Sequence, residues 1–206
     1  MDYYVSDKTT IGVGVNGIIK SAKKTSDVSS VLSSPLGVVD STIVAKNIEK
    51  DDFSNLGVNL NYRHDFNGKG QKLTADLDYL NYGNTTDQTF NNFVYQPNNI
   101  LSSQDASVGY LPADIDIYSF KTDYALPLKN DGVFETGYKM SVSKTDNIAD
   151  YNDVIGGIKM PNYDMSNHFK YDETIHAAYV NWNAGFGRFN FQSGLRVEHT
   201  QSKGNQ

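Results

Sequence analysis

The sequence predicts an all-β fold, an antiparallel sheet of about seven strands. Two observations predict it. Apolar and polar residues alternate through most of the chain, and glycine- and asparagine-rich turns punctuate it at long intervals. No helical period competes, because Asn, Asp, Ser and Thr interrupt every window in which one could form.

The strands follow in order as Thr10–Ile19, Asn55–Phe66, Lys72–Asn81, Ile115–Pro127, Val133–Lys144, Asp172–Asn183 and Arg188–Gln201. In the second, Leu56, Val58, Leu60 and Tyr62 oppose Asn59, Asn61, Arg63 and Asp65. In the third, Leu73, Ala75, Leu77 and Tyr79 oppose Thr74, Asp76 and Asp78. Tyr118, Phe120, Tyr124 and Leu126 oppose Ser119, Lys121 and Asp123 in the fourth, and Phe134, Tyr138, Met140 and Val142 oppose Glu135, Lys139 and Ser143 in the fifth. The sixth is apolar on both sides. The last sets Phe189, Phe191, Leu195 and Val197 against Asn190, Gln192, Arg196 and Glu198. Apart from the sixth, each of these strands thus has one face to bury and one to wet.

Turn signals stand near Asp7 (SDKT), at Asn67–Gly70 (NGKG), at Asn130–Gly132 within KNDG, and at Gly185–Gly187 within AGFG. Such residues accept the positive φ of tight hairpins. Between them lie long polar connections, Ser21–Asp52, Thr85–Ala113 and Ile148–Lys170. Tight turns on one rim and long loops on the other describe a transmembrane barrel, whereas a soluble sandwich turns about every 8 to 12 residues. The expected architecture is a curved, open meander sheet forming a segment of such a barrel. The apolar face meets lipid, and the charged face (Asp76, Asp78, Lys121, Asp123, Glu135, Lys139, Arg196, Glu198) lines a wet lumen.

Composition agrees. The 206 residues carry a net charge of −6 and a mean hydropathy of −0.50, with 14 Tyr and 10 Phe but one Trp. Tyrosine suits half-wet walls and interfacial girdles. The acidic balance argues against a nucleic-acid partner, and the absence of cysteine excludes disulfide frameworks and thiolate metal sites. The first residues, MDYYVSDKTT, show no basic-then-apolar export signal.

The segments FKTDYALPL…FETGYKMS and FKYDETIHAAYV…SGLRVEHT resemble the outer-membrane β-barrel region of TonB-dependent receptors. The resemblance runs from about Tyr118 to Thr200 and rests on Phe120, Asp123, Tyr124, Gly137, Tyr138, Lys139, Phe169, Tyr171, Glu173, Ala177, Tyr179, Gly194, Leu195, Arg196, Glu198 and Thr200. It implies a cell-outer-membrane protein of Gram-negative bacteria that imports large nutrients such as glycans, peptides or metal chelates. The partners it implies are outer-membrane lipid, the remainder of the barrel, a plug domain and, through the plug, the TonB energy-coupling system. Barrels of this kind have about 22 strands. With seven strands, no plug and a polar end at Gln206, residues 1–206 read as a single-domain internal fragment of a longer receptor. The other reading is a soluble all-β ligand-binding or adhesion module with Tyr- and Asn-rich loops.

Candidate sites are few. GVGVNG at Gly12–Gly17 matches a dinucleotide fingerprint by letters, but it lies in an alternating strand and no helix follows. DNIADYND at Asp146–Asp153 is an acidic cluster expected in a loop, without the order of a calcium hand. Alternation puts Glu173 and His176 on opposite faces. His64, His168, His176 and His199 lack metal-ligand spacing. Asp76 and Asp78 share a face, but a charged lumen accounts for them. Arg196 and Glu198 read as a lumen ion pair fixing register with adjacent strands. NTT at Asn84 is a sequon by letters alone. The expectation is no enzyme: no catalytic residue, no cofactor and no metal, with substrate-binding residues unassigned.

Overall fold

A computed structural model describes residues 1–129, 132–186 and 188–206. Its elements are β1 (Asp2–Ser6), β2 (Thr9–Ser33), β3 (Val39–Asp65), β4 (Lys72–Tyr95), β5 (Leu101–Pro127), β6 (Val133–Ile155), β7 (Ile158–Pro161), β8 (Asn167–Phe186) and β9 (Phe189–Asn205). They form one sheet in the order β1-β2-β3-β4-β5-β6-β8-β9, with the short β7 also on β6. Every pairing is antiparallel. The first and last strands do not meet, so the sheet is open.

The predicted strands are all present, but they are too short. Strands expected to run about 10 to 15 residues are 25 residues in β2, 27 in β3, 24 in β4 and 27 in β5. The connections Ser21–Asp52, Thr85–Ala113 and Ile148–Lys170 are mostly strand, closed by short turns at Ser34–Val38, Gln96–Ile100 and Gly156–Gly157. Neighbouring strands lengthen together, so each added residue finds ladder partners. β1 and β7 were not anticipated; β1 covers Thr9–Gly12 and leaves β2 unpaired on that side beyond Val13.

On the opposite rim the turn at Asn67–Gly70 is as expected. Phe66 N donates to Gln71 O at 3.0 Å, Asn67 Oδ1 accepts from Lys69 N at 3.1 Å, and Gly70 takes φ 93°. Asn130, Asp131 and Gly187 of the other two tight turns lie outside the described residues. The bond from Leu128 N to Gly132 O at 2.7 Å closes one of them.

The sheet has no second layer. Ala125, Ala177, Ala184 and Thr86 are the buried side chains with a Cβ, and no large side chain is fully buried among the described residues. The accessible surface is 14309 Å², against about 9,600 Å² for a compact monomer of this mass. A soluble sandwich would have covered one face.

Candidate functional site

Residues at paired positions in adjacent strands share a face, so the register assigns both faces outright. Leu77 pairs with Leu60 and Phe120; Phe120 pairs with Met140, Met140 with His176, and His176 with His199. Asp76 pairs with Asn61 and Lys121, Lys121 with Lys139, Lys139 with Ala177, and Ala177 with Glu198. Followed strand by strand, Leu73, Leu77, Phe120, Tyr124, Phe134, Tyr138, Phe189, Phe191, Leu195 and Val197 all lie on one face. Asp76, Asp78, Lys121, Glu135, Lys139, Arg196 and Glu198 lie on the other. The sequence reading of the faces holds throughout.

The apolar face is convex and uncovered: Val15 is 68% exposed, Leu195 66% and Phe189 79%. Of the buried small residues, Ala125, Ala177, Thr86 and Gly57 belong to the polar face, the more crowded and so the concave one, while Ala184 at the tight-turn end lies on the apolar face. The apolar band ends in aromatic residues on both sides. Toward the tight turns stand Trp182 and Phe191, ring centroids 5.4 Å apart, with Phe66 edge-on to Tyr124 at 6.0 Å. Toward the long hairpins stand Tyr79 and Tyr118 at 5.0 Å. Counted from ring row to ring row inclusively, the band spans Tyr118–Tyr124 in β5, Phe134–Val142 in β6 and Phe191–Gln201 in β9, about nine residues on average and close to the length a tilted membrane strand needs. Three polar side chains within the band are tied internally. Thr122 Oγ1 donates to Thr74 O at 3.1 Å, Thr136 Oγ1 to Tyr179 O at 3.0 Å, and the Tyr138 hydroxyl meets His176 Nδ1 at 2.7 Å.

Past Tyr79 the polarity inverts. The convex face turns charged: paired positions read Asn81, Asp116, Lys144, Asp172, Lys203, alternating in sign from Asp116 on. One row further out Asp146 is held by Lys170 at 2.9 Å and His168 at 2.6 Å. The Lys170 ammonium, and after it His168, holds the Asp146 carboxyl below the usual aspartate range.

The concave face changes in the opposite sense. Beside the band it carries ions and their partners. Lys121 pairs with Asp123 at 2.6 Å, the Tyr179 hydroxyl donates to Asp123, and Asn59 Nδ2 donates to Asp78 Oδ1 at 2.7 Å. Above it come Leu80 and Ile117, then Tyr82, Ile115 and Tyr171, then Phe53, Asn84, Ala113, Asn147 and Phe169 in a single row. Phe169 and Tyr171 present nearly parallel rings, 16° apart with centroids at 6.4 Å. This aromatic and amide-lined stretch is the candidate functional surface. The sequence reading missed it because its strands stop at Asn55, Asn81, Lys144 and Asp172, which leaves Phe53, Tyr82, Asn84, Asn147, Phe169 and Tyr171 beyond their ends. A parity switch was its signal: in YLNY the apolar positions move from odd-numbered Leu77 and Tyr79 to even-numbered Leu80 and Tyr82.

The other candidates resolve simply. Gly12–Gly17 lies inside β2 with no helix after it. Asp146–Asp153 is not a loop but part of β6, which sends Asp146 and Asp150 to one face and Asp153 to the other. No group of three metal-ligating side chains occurs among the described residues. Glu173 and His176 are on opposite faces as expected, and His64 bonds Thr9 Oγ1 at 2.8 Å. Arg196 and Glu198 do form an ion pair, at 2.9 Å, but within β9, so it fixes no register between strands. Asn84 is a strand residue on the concave face.

The sequence profile of the outer membrane protein beta-barrel family matches residues 64–206. No curated protein matches the sequence. Among solved structures, the ferric citrate transporter FecA in the unliganded form is similar at 12% identity and a TM-score of 0.41. The ferripyoverdine receptor of the outer membrane of Pseudomonas aeruginosa, bound to ferripyoverdine, is similar at 11% identity and a TM-score of 0.19. Each comparison covers 96% of this chain, which spans only 38% of either structure.

Proposed function

The chain belongs to the outer membrane protein beta-barrel family, and from that membership we propose that its strands form one sector of the wall of a TonB-coupled receptor importing large nutrients. Its location is the cell outer membrane. The observation that carries the reading is the division of faces: a convex apolar band about nine residues tall between two sets of aromatic rings, behind which every charged residue of those strands points to the concave side. Lipid covers the band, and the concave side faces water and cargo.

The open edges call for further strands of the same barrel on each side, since backbone groups left in hydrocarbon have no partner. The letters shared with TonB-dependent receptors from Tyr118 to Thr200 support energy coupling, with a plug domain inside the barrel as the link. The role is passage rather than catalysis, and the cargo is a glycan, peptide or metal chelate.

Uptake tests this. In the source bacterium, deletion of the gene is expected to abolish accumulation of one labelled class among oligosaccharides, peptides and ferric chelates. A protonophore is expected to abolish the same accumulation in the wild type. Unchanged uptake of all three classes in the deletion strain, or recovery of the protein in the soluble fraction, overturns the proposal.

A further inference from the structure

We infer that the concave face beyond the apolar band binds neutral oligosaccharides; this rests on the transport reading and names the substrate class within it. The geometry supplies flat apolar surfaces and amides side by side. Phe169 and Tyr171 project from the same face of β8 as a nearly parallel pair of rings. Gly204, paired opposite Tyr171, has no side chain to cover them; a Cβ there would lie 3.5 Å from the Phe169 ring. Phe53 and Asn84 occupy adjacent strands of the row that also holds Asn147 and Phe169, and Tyr82 lies one row below. The row thus sets a ring at each end, Phe53 and Phe169, with the carboxamides of Asn84 and Asn147 between them on either side of Ala113. Asn84 Nδ2 donates to Thr86 Oγ1 at 3.1 Å, and Asn147 Oδ1 is buried without a hydrogen-bond partner among the described residues.

Charge selects among the possible cargoes. The carboxylates of this stretch are already engaged. Asp51 accepts from Thr86 Oγ1 at 2.6 Å, and Glu173 accepts from the Tyr171 hydroxyl at 2.8 Å. Lys20 is a single cation at the free edge of β2 in these rows. An anionic chelate would need a cluster of cations, and a peptide would need partners for its charged termini and side chains. A neutral sugar needs neither. Its C–H faces rest on aromatic rings, and its hydroxyls exchange hydrogen bonds with amides. The ionic rows beside the band offer no such surface.

The test uses outer-membrane vesicles from the source bacterium carrying the full-length protein, with receptor content normalised by immunoblot. Labelled neutral gluco-, xylo- and manno-oligosaccharides are compared with oligouronates, ferric chelates and peptides. The expected result is retention of at least one neutral oligosaccharide, weakened at least tenfold by Phe169→Leu and by Tyr171→Leu. Tyr171→Phe, which keeps the ring, and Phe120→Leu on the convex face are expected to retain it. Retention of chelates, peptides or oligouronates in place of neutral sugars overturns the substrate class and leaves the transport reading standing. Equal sugar retention by the ring variants overturns the site. Failure to bind any class, together with unchanged uptake in the deletion strain, overturns both.

Discussion

Tyr79 donates its hydroxyl hydrogen to Asp116 Oδ1 at 2.8 Å, on the convex face, where the apolar band ends. Asn81 Nδ2 reaches the same oxygen at 3.0 Å. Below this contact the face is Leu77, Phe120 and Met140; above it the charges begin. An aromatic ring at the edge of hydrocarbon with its polar tip turned to ions is the arrangement of an interfacial girdle.

The boundary can be mapped by labelling. The natural chain has no cysteine, so each single-cysteine variant gives one signal. In intact cells, Leu77→Cys and Leu195→Cys are expected to resist a membrane-impermeant maleimide. Lys23→Cys and Asp87→Cys, on the same face beyond Asp116, are expected to react. Equal labelling at all four positions would remove the band.

Consecutive residues test the faces. Phe120→Arg places a cation in lipid at a cost of about 2 to 4 kcal/mol near the midplane. Lys121→Ala removes a lumen ion from its pair with Asp123. Assembly into lipid vesicles, read by protease resistance, is expected to fall sharply for Phe120→Arg and little for Lys121→Ala. Equal yields would refute the assignment.

Alternation exposed these faces in the sequence because one side of each strand must be apolar only where lipid lies against it. The same requirement explains what stayed hidden. Val28, Ser30, Ile43 and Lys46 sit in regular ladders, yet water reaches this part of the sheet from both sides and no period of two survives. The strand Asp172–Asn183 was ambiguous because Ala177 and Tyr179 sit on the lumen face, the one buried and the other donating its hydroxyl to Asp123, yet by letter they look as apolar as Ala178, Val180 and Trp182 on the outer face. Register supplied the rest: nothing in the letters says that Arg196 bonds along its strand to Glu198 rather than across it.

Glycine tests the packing of the lumen face. A Cβ on Gly137 would collide with the Tyr179 ring and Asp123, whereas one on Gly14 would lie 3.8 Å from Asn59. Gly137→Ala is expected to destabilise the assembled protein by about 1 to 3 kcal/mol, as overpacking does. Gly14→Ala is expected to be near neutral. Unfolding midpoints in detergent compare them, and equal midpoints would show that Tyr179 moves aside freely.

Asp146 gives a pH dependence of definite sign. Lys170 first, then His168, lowers its folded pKa below the ordinary value of 3.8. A depressed carboxylate contributes stability above its unfolded pKa and loses it as pH falls through the folded one. Asp146→Asn is therefore expected to lower the unfolding midpoint at pH 6, with the difference from wild type closing below about pH 4. A difference unchanged from pH 6 to pH 3 would exclude the ionic origin.

The edges set the last expectation. β9 pairs with β8 alone, and β2 beyond Val13 pairs with β3 alone. Within the band, about five residues of β9 turn both N–H and C=O outward, and on the other edge about three do so along β1 and the end of β2. At roughly 2 kcal/mol or more for each unpaired group in hydrocarbon, two such edges cost tens of kcal/mol, beyond the roughly 5 to 15 kcal/mol by which a domain is stable. In water the same edges, with a bare apolar band beside them, favour aggregation. Residues 1–206 expressed by themselves are therefore expected to be insoluble or to require detergent, and to transport nothing. Sedimentation after lysis and light scattering of the extract measure this. A monodisperse monomer in plain buffer that unfolds cooperatively, or a disulfide formed readily between cysteines placed at Val15 and Leu195, would mean that the sheet closes on itself and that no further wall is needed.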